Sequence, residues 1–306
     1  MISCRRTNEH RESDMSGNTD LDKVLGLLEG WRDEMVQVQV ELVKRPALGP
    51  DNGGAGEWER ARYLEQLVRG WGLSVEHLDA PDERVAEGTR PNLVVRLAGD
   101  KTSPAVWVMA HMDVVPAGPE SEWKTPPFEA VVKDGRIFGR GVEDNQQGLV
   151  SSLFALRALK EANVTPPTDV ALLLVSDEET GNRYGIEYVL ENRPDLVGPS
   201  DIVVVPDSGN SDGTMLEVAE KTILWVKFVI EGKQVHASMP QLGLNAHRVS
   251  AMLVCRLDEE LRKKFSGTDP VFDPPSSTFE PTKREANVDN VNTIPGKEVL
   301  FFDCRI

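Results

Sequence analysis

The sequence predicts an α/β protein built on a mostly parallel sheet. Short apolar segments rich in β-branched residues alternate with amphipathic helical segments, which is the pattern of parallel strands joined by helices. The pattern changes near Ala219, after which strands with two different faces surround one long helix. We therefore expect an α/β domain over residues 21–218 and a smaller α+β domain over residues 219–306.

Each element rests on apolar spacing and on the residues that end it. Helix 21–43 stops before Pro46, and helix 58–71 ends among glycines. A hairpin is expected over 131–138, because Asp134-Gly135 favours the positive φ angles of a tight turn. The other predicted elements are strands 73–78, 92–97, 105–110, 170–175, 202–205, 224–230, 278–282 and 298–304 and helices 146–162, 186–191 and 246–261.

Composition excludes some classes of protein. The chain has 306 residues with a formal net charge of −16, which argues against a nucleic-acid partner because phosphate binding needs a basic surface. No apolar segment approaches the roughly 20 residues of a membrane span. Cys4, Cys255 and Cys304 lack disulfide or metal spacing and suit a reducing cytoplasm, with Cys255 expected in the core. The polar residues 1–20 predict a disordered lead-in.

His111 follows the apolar strand 105–110, and Asp113 comes two residues later. In α/β sheets ligands bind beyond the carboxyl ends of parallel strands, which is where His111 is expected. Asp113 could accept the second ring N–H of His111, which would fix its tautomer and make the imidazole a better metal ligand. Taken alone, such a pair is more often a surface histidine at a strand end, since short motifs have many false positives.

Further acidic residues are expected at the same edge of the sheet. They are Asp177-Glu178-Glu179 after strand 170–175, Asp207 after strand 202–205, and Asp144 in a glycine-containing loop before helix 146–162. Carboxylates this close would raise one another's pKa unless a cation lay among them. Imidazole and carboxylate ligands without thiolate favour zinc, cobalt or manganese.

The adjacent pair Glu178 and Glu179 suggests two different roles. At a turn, one carboxylate can bind a metal while the other stands beside an activated water as a general base. Adjacent glutamates alone more commonly belong to a solvated loop. Their position directly after a buried strand favours the functional interpretation.

Together these motifs resemble a known family. The matching segments, in family order, are residues 111–116, 123–128, 134–141 with Asp144, 177–181 and 232–238. The sequence is similar to the M20 metallopeptidases and amidohydrolases, which include acetylornithine deacetylase, succinyl-diaminopimelate desuccinylase, aminoacylase and the glutamate carboxypeptidases. The resemblance implies a zinc-peptidase-like catalytic domain with a mostly parallel sheet and an inserted α+β lid.

The resemblance also implies a mechanism with two zinc ions, for which cobalt or manganese could substitute. The implied metal ligands are His111, Asp144, Glu179 and Asp207. Asp144 would bridge the two ions, and Asp113 would orient the histidine. Glu178 would be the general base that takes a proton from the bridging water and gives it to the leaving amine. The implied substrate is a small acylated amino acid or dipeptide, with the deacylase and desuccinylase branch favoured.

Three residues of the smaller domain have implied roles. His236 would reach the active site of a partner subunit, in a homodimer formed through the lid, and stabilise the oxyanion. Asn292 would help to hold the substrate. Arg305 ends a lid strand in an Asp-x-Arg pattern and could meet a substrate carboxylate, although an ion pair with Asp303 or another lid acid is an equally good interpretation. His247 lacks such a context and is interpreted as structural.

The sequence departs from the family in two places. Gln146 stands where many members have lysine. The family also has a later metal-binding histidine, after the chain returns from the lid, whereas this sequence ends at Ile306 within the lid. We therefore expect a fragment, a truncated reading frame or a chain whose remainder lies elsewhere, with one metal position weakened.

Two other functions are alternatives to the hydrolase. A catalytically silent metal-binding or regulatory homologue would bind one metal tightly and turn over no substrate. A nucleotide-binding module would need a glycine-rich phosphate loop after the first strand, and the sequence has none there.

Overall fold

The structure, a computed structural model, describes residues 19–210 and 212–306. They fall into two compact units, one ending at Gly213 and the other beginning at Thr214. The predicted lead-in and Cys4 lie outside the described residues, except that Thr19 and Asp20 begin the first helix. No described helix combines the length and apolar character needed to cross a membrane.

The helices and strands are as follows. The α-helices are α1 (Thr19–Gly30), α2 (Arg32–Val43), α3 (Trp58–Gly70), α4 (Gln146–Glu161), α5 (Ile186–Asn192) and α6 (Ala246–Lys264). The strands are β1 (Val75–His77), β2 (Ala80–Pro81), β3 (Thr89–Arg90), β4 (Leu93–Leu97), β5 (Val106–His111), β6 (Val131–Lys133), β7 (Arg136–Phe138), β8 (Val170–Val175), β9 (Ile202–Val204), β10 (Ile223–Glu231), β11 (Val235–His236), β12 (Thr278–Arg284), β13 (Thr293–Ile294) and β14 (Lys297–Arg305).

The first unit contains a five-stranded sheet in the order β1-β4-β8-β5-β9. The α/β class is confirmed, and the sheet is mixed where the sequence predicted mostly parallel pairing. β5 is parallel to β8 and β9, whereas β4 is antiparallel to β1 and β8. β4 is antiparallel to β1 because no helix lies between these two strands. The chain joins them through the small β2–β3 pair, and antiparallel neighbours need no helical crossover.

Both faces of this sheet are covered at its central strand, β8. Leu172 and Leu174 pack with residues of α2, α3 and α4 on one face. Ala171, Leu173 and Val175 point to the opposite face, which α5 helps to cover. Successive side chains of a strand alternate between faces, so a strand that is buried on both sides needs the continuous apolar run found here.

Of two local predictions, the turn between β6 and β7 is confirmed and the first helix is wrong. The Asp134-Gly135 turn is confirmed, since these residues have φ angles of 52° and 72° between β6 and β7. The single helix predicted over 21–43 was wrong, because α1 and α2 are separate helices that meet around Trp31. Gly30 precedes this break, and glycine is unfavourable in a helix interior.

The second unit contains an antiparallel sheet in the order β10-β14-β12, and β11 pairs with β13. Leu300 and Phe302 of the sheet pack with Val254 and Leu257 of α6. The prediction that Cys255 lies in the core was wrong, because this residue is exposed. Its neighbour Val254 faces the sheet, and consecutive helix residues point about 100° apart.

Candidate metal centre

The carboxyl ends of β5, β8 and β9 lie side by side. His111 is the last residue of β5, opposite Val175 of β8, and β9 runs parallel to β5 on its other side. After β8 the chain forms a short 3-10 turn, Glu178–Thr180, and after β9 it reaches Asp207. Parallel pairing therefore brings together residues that are far apart in sequence. This agrees with the prediction that a ligand site lies beyond the carboxyl ends of the parallel strands.

The side chains at this edge converge on the imidazole of His111. Its Nε2 atom lies 2.9 Å from Asp144 Oδ1 and 3.7 Å from Asp207 Oδ1. The potential ligand atoms form two groups, and the atoms of each group all lie within 4.8 Å of one another. One group is His111, Glu178 and Asp207, and the other is His111, Asp144 and Glu179. The four predicted ligands are thus brought together, and Glu178 lies among them.

These donors fit a divalent metal. With bonds of about 2.0–2.2 Å, two ligand atoms on one zinc ion are about 3–4 Å apart, and the His111 separations of 2.9 and 3.7 Å lie close to this range. One imidazole with several carboxylates suits zinc, cobalt or manganese. Both groups share His111, whose single free nitrogen Nε2 can bind one ion.

Asp113 is buried and connects the histidine to the glutamate turn. The nearest acceptor for His111 Nδ1 is the backbone carbonyl of Asp113 at 3.0 Å, with the carboxylate at 3.4 Å. The two carboxylate oxygens accept the backbone N–H groups of Glu178 at 3.1 Å and Glu179 at 3.0 Å. Asp113 therefore fixes the Nδ1–H tautomer of His111 and the position of both glutamates.

The electrostatics show how strongly this site attracts positive charge. Burial opposes protonation of His111, but Asp113 and Asp144 outweigh it and raise its pKa to about 11. Burial, with Asp144 nearby, raises the pKa of Glu179 to about 7. Burial also raises the pKa of Glu178. A divalent cation would replace the protons that these groups otherwise hold.

Sequence reasoning did not find Arg60, a fully buried arginine beneath the site. Its Nη1 donates to the backbone carbonyl of Met112, which lies between His111 and Asp113. Its Nη2 donates to the carbonyl of Leu42 at 3.0 Å. A local signal was available in its spacing, because Arg60 lies four and eight residues before the buried Leu64 and Val68. It therefore falls on the apolar face of α3, where arginine is rarely buried.

In the second unit, His236 and Asn292 come together across the β11–β13 pair. Asn292 Nδ2 lies 3.4 Å from His236 Nε2, and the backbone N–H of Ser238 donates to His236 Nδ1 at 3.2 Å. Arg305 forms a bidentate ion pair with Asp303, at 2.8 and 3.1 Å, which matches the structural alternative.

His247 also has a structural contact in this unit. Its Nδ1 atom lies 3.3 Å from a carboxylate oxygen of the buried Glu298. This contact agrees with its interpretation as a structural residue.

Comparison with known proteins identifies the family. The model of peptidase family M20/M25/M40 matches residues 107–289. An uncharacterized metallohydrolase of Methanococcus maripaludis is 38% identical over 280 residues, covering 90% of this chain and 67% of that protein. The succinyl-diaminopimelate desuccinylase of Acidovorax ebreus is 30% identical over 271 residues, covering 87% of this chain and 66% of that protein.

A solved structure gives the same result for the fold. The M20 family metallo-carboxypeptidase Sso-CP2 of Sulfolobus solfataricus superposes with a TM-score of 0.71 at 22% identity, covering 89% of this chain and 71% of that chain. The family match covers more than half of the sequence and includes every residue at the sheet edge described above. The chain therefore belongs to peptidase family M20/M25/M40 and is a metallohydrolase.

Proposed function

We propose that this protein hydrolyses an amide bond of a small N-acyl amino acid or peptide, using two zinc ions and Glu178 as the general base. The observation that carries the proposal is the convergence of His111, Asp144, Glu178, Glu179 and Asp207 at one sheet edge. The similarity to a desuccinylase at 30% identity favours an acylated amino acid over a longer peptide.

In this proposal His111, Asp144, Glu179 and Asp207 hold the metals. When bound, the metals supply Lewis-acid chemistry that activates water and polarises a carbonyl group. The Glu178 carboxylate accepts a proton from water and returns it to the leaving amine. Its half-buried position and raised pKa suit this role, because a general base works best when its pKa approaches the working pH.

The smaller unit would complete the site in a homodimer. His236 would stabilise the oxyanion. Ser238 holds its ring, because the Ser238 N–H donates to Nδ1 at 3.2 Å and Ser238 Oγ lies 2.7 Å from the same atom. Asn292 would hold the substrate beside it. A substrate carboxylate would compete with Asp303 for Arg305.

The exposed edge of β10 supports a dimer formed through this unit. In the described sheet β10 pairs on one side only, and its side chains Ile223, Leu224, Trp225 and Val229 are 49–68% exposed. An apolar strand edge favours association with another strand. We expect Trp225→Lys to shift the protein from dimer to monomer in sedimentation equilibrium, with Lys283→Gln as the control. A wild-type protein that is monomeric at all concentrations would contradict the proposed dimer.

The test of the hydrolase is Glu178→Gln, measured by zinc content and by hydrolysis of N-acyl amino acids and dipeptides. We expect turnover to fall by about 10²–10⁴-fold, the contribution of a general base, while zinc content is retained. Loss of zinc together with activity would show that Glu178 is a ligand instead.

A second candidate function is a metal-binding homologue without catalytic activity. The observation that favours it is the sharing of His111 by both ligand groups, because the described donors then complete one metal position better than two. This candidate predicts one tightly bound zinc and no turnover of any substrate in the same panel. Two bound zinc ions with turnover would exclude it.

A further inference from the structure

A layer of buried charged side chains lies beneath the candidate metal centre. Its members, each at most 4% exposed, are Glu57, Arg60, Asp82, Arg90, Asp113 and Asp177. Buried charges are expensive unless they are paired, so each must be explained by its partners. Asp113 and Arg60 are paired mainly with backbone groups, whereas Arg90 is paired with carboxylates.

Arg90 is completely buried and directs its guanidinium towards three carboxylates. Its Nε atom donates to Glu57 Oε2 at 2.5 Å, and its Nη2 atom donates to Glu57 Oε1. Its Nη1 atom is buried and makes no hydrogen bond, but lies 3.6 Å from Asp177 Oδ1 and 3.7 Å from Asp82 Oδ2. Asp82 is also paired with Arg84. The Nη1 end of the Arg90 guanidinium, which does not bind Glu57, therefore compensates the negative charge of Asp177.

Asp177 shapes the turn that carries both glutamates. It directly precedes Glu178 and has a φ angle of 64°, in the left-handed region. Its Oδ2 atom accepts the backbone N–H of Tyr184 at 3.0 Å, and its Oδ1 atom accepts the hydroxyl of Thr180. Its backbone carbonyl accepts the N–H of Asn182 at 2.7 Å. A shift of Asp177 would therefore move Glu178 and the residues that follow.

We propose that Arg90, held by Glu57, is a positioning residue for the metal centre, and that it acts through Asp177 on the turn that carries Glu178 and Glu179. This inference rests on the proposed function, because it assigns a purpose to that turn. Glu57 holds Arg90 in place, so the positively charged Nη1 end of the guanidinium stays beside Asp177. Asp113 also holds this turn, because its carboxylate accepts the backbone N–H groups of Glu178 and Glu179.

The test measures zinc affinity by competition with a chromophoric chelator, on protein whose folding is checked by circular dichroism. We expect Arg90→Met to weaken zinc binding at least tenfold. Arg90→Lys keeps the charge but not the bidentate geometry, and we expect it to bind zinc more tightly than Arg90→Met and at least threefold more weakly than the wild type.

Two further variants separate positioning from general stability. The double variant Glu57→Gln with Arg90→Met removes both buried charges, so its melting temperature should recover relative to Arg90→Met alone. The charge of Asp177 stays uncompensated in this double variant, so its zinc affinity should remain at least tenfold weaker than that of the wild type. The control is Arg96→Met, which breaks an ion pair with the buried Asp169 on the same sheet, and its zinc affinity should stay within twofold of wild type.

The outcomes are distinguishable. A wild-type protein that binds no zinc would refute the proposed function itself. Wild-type zinc affinity in Arg90→Met would overturn the positioning role alone, as would recovery of affinity together with stability in the double variant. If Arg90→Met does not fold, Arg90→Lys decides the question, and wild-type affinity in that variant would overturn the proposal.

Discussion

Asp113→Asn should weaken zinc binding without unfolding the protein. The wild-type carboxylate accepts two backbone N–H groups, from Glu178 at 3.1 Å and from Glu179 at 3.0 Å. The amide that replaces it has one acceptor oxygen, so one N–H would face an NH₂ group. A hydrogen bond to a charged group contributes about 1.5–3 kcal/mol. With about 1.4 kcal/mol for each factor of ten, the expected loss is about 10- to 100-fold in zinc affinity.

Competition with a chromophoric chelator measures this loss directly, and Asp201→Asn is a matched control. Asp201 also accepts two backbone N–H groups, from Ala105 and Gly198, both at 2.8 Å. It lies at the opposite end of β5, about 20 Å from His111 at 3.3 Å per residue. Zinc affinity within threefold of wild type in Asp113→Asn would refute the reasoning. An equal loss in both variants would attribute the effect to general loosening of the fold.

The charges of the site and the packing of α4 lead to three further predictions. Because the pKa of His111 is raised to about 11 and that of Glu179 to about 7, zinc uptake should release about two protons at pH 6 and about one at pH 8.5. Calorimetry in buffers of different ionisation enthalpy measures this number, and zero release at both values would contradict it. By the same shifts, the metal-free protein should lose stability to urea as pH rises, through Glu179 between 4.5 and about 7 and through His111 between 6.5 and about 11. Gly148→Ala should cost about 1–3 kcal/mol in the free energy of unfolding, because the added Cβ would lie 2.2 Å from the carbonyl oxygen of Pro206. Gly26→Ala, with nothing within 4 Å, is the control, and an equal effect of both would contradict the steric argument.

The sequence was sufficient to predict that the candidate site residues meet at one edge of the sheet. The apolar runs of β5 and β8 are unbroken because β8 is buried and β5 is buried or half-buried along its length, and their ends are therefore clear in the sequence. Once parallel pairing is assumed, His111, Glu178 and Asp207 must meet at one edge. Asp144 lies in a loop, and it was predicted there from the glycine-containing segment before helix 146–162. The resemblance added only its implied role as the bridging ligand.

The supporting layer could not be predicted, since its contacts connect distant parts of the chain. Glu57 and Arg90 are 33 residues apart, and Asp113 reaches a backbone N–H 65 residues away. When an acidic side chain accepts a hydrogen bond from a distant backbone N–H group, the sequence around the acidic residue does not indicate that partner. The mixed pairing of the sheet was missed for a related reason, because the apolar content of a strand such as β4 does not specify its direction.

The site residues differ in how firmly the fold holds them. His111 belongs to a strand with neighbours on both sides, whereas Asp144 lies in a loop and Glu178 and Glu179 lie in a single turn. A chelator should therefore leave the sheet and its imidazole in place while the acidic segments relax. In hydrogen exchange, zinc should slow the amides of the 177–181 turn far more than those of β5. Demetallation would then be reversible, with the strand serving as a fixed template on which the centre reassembles.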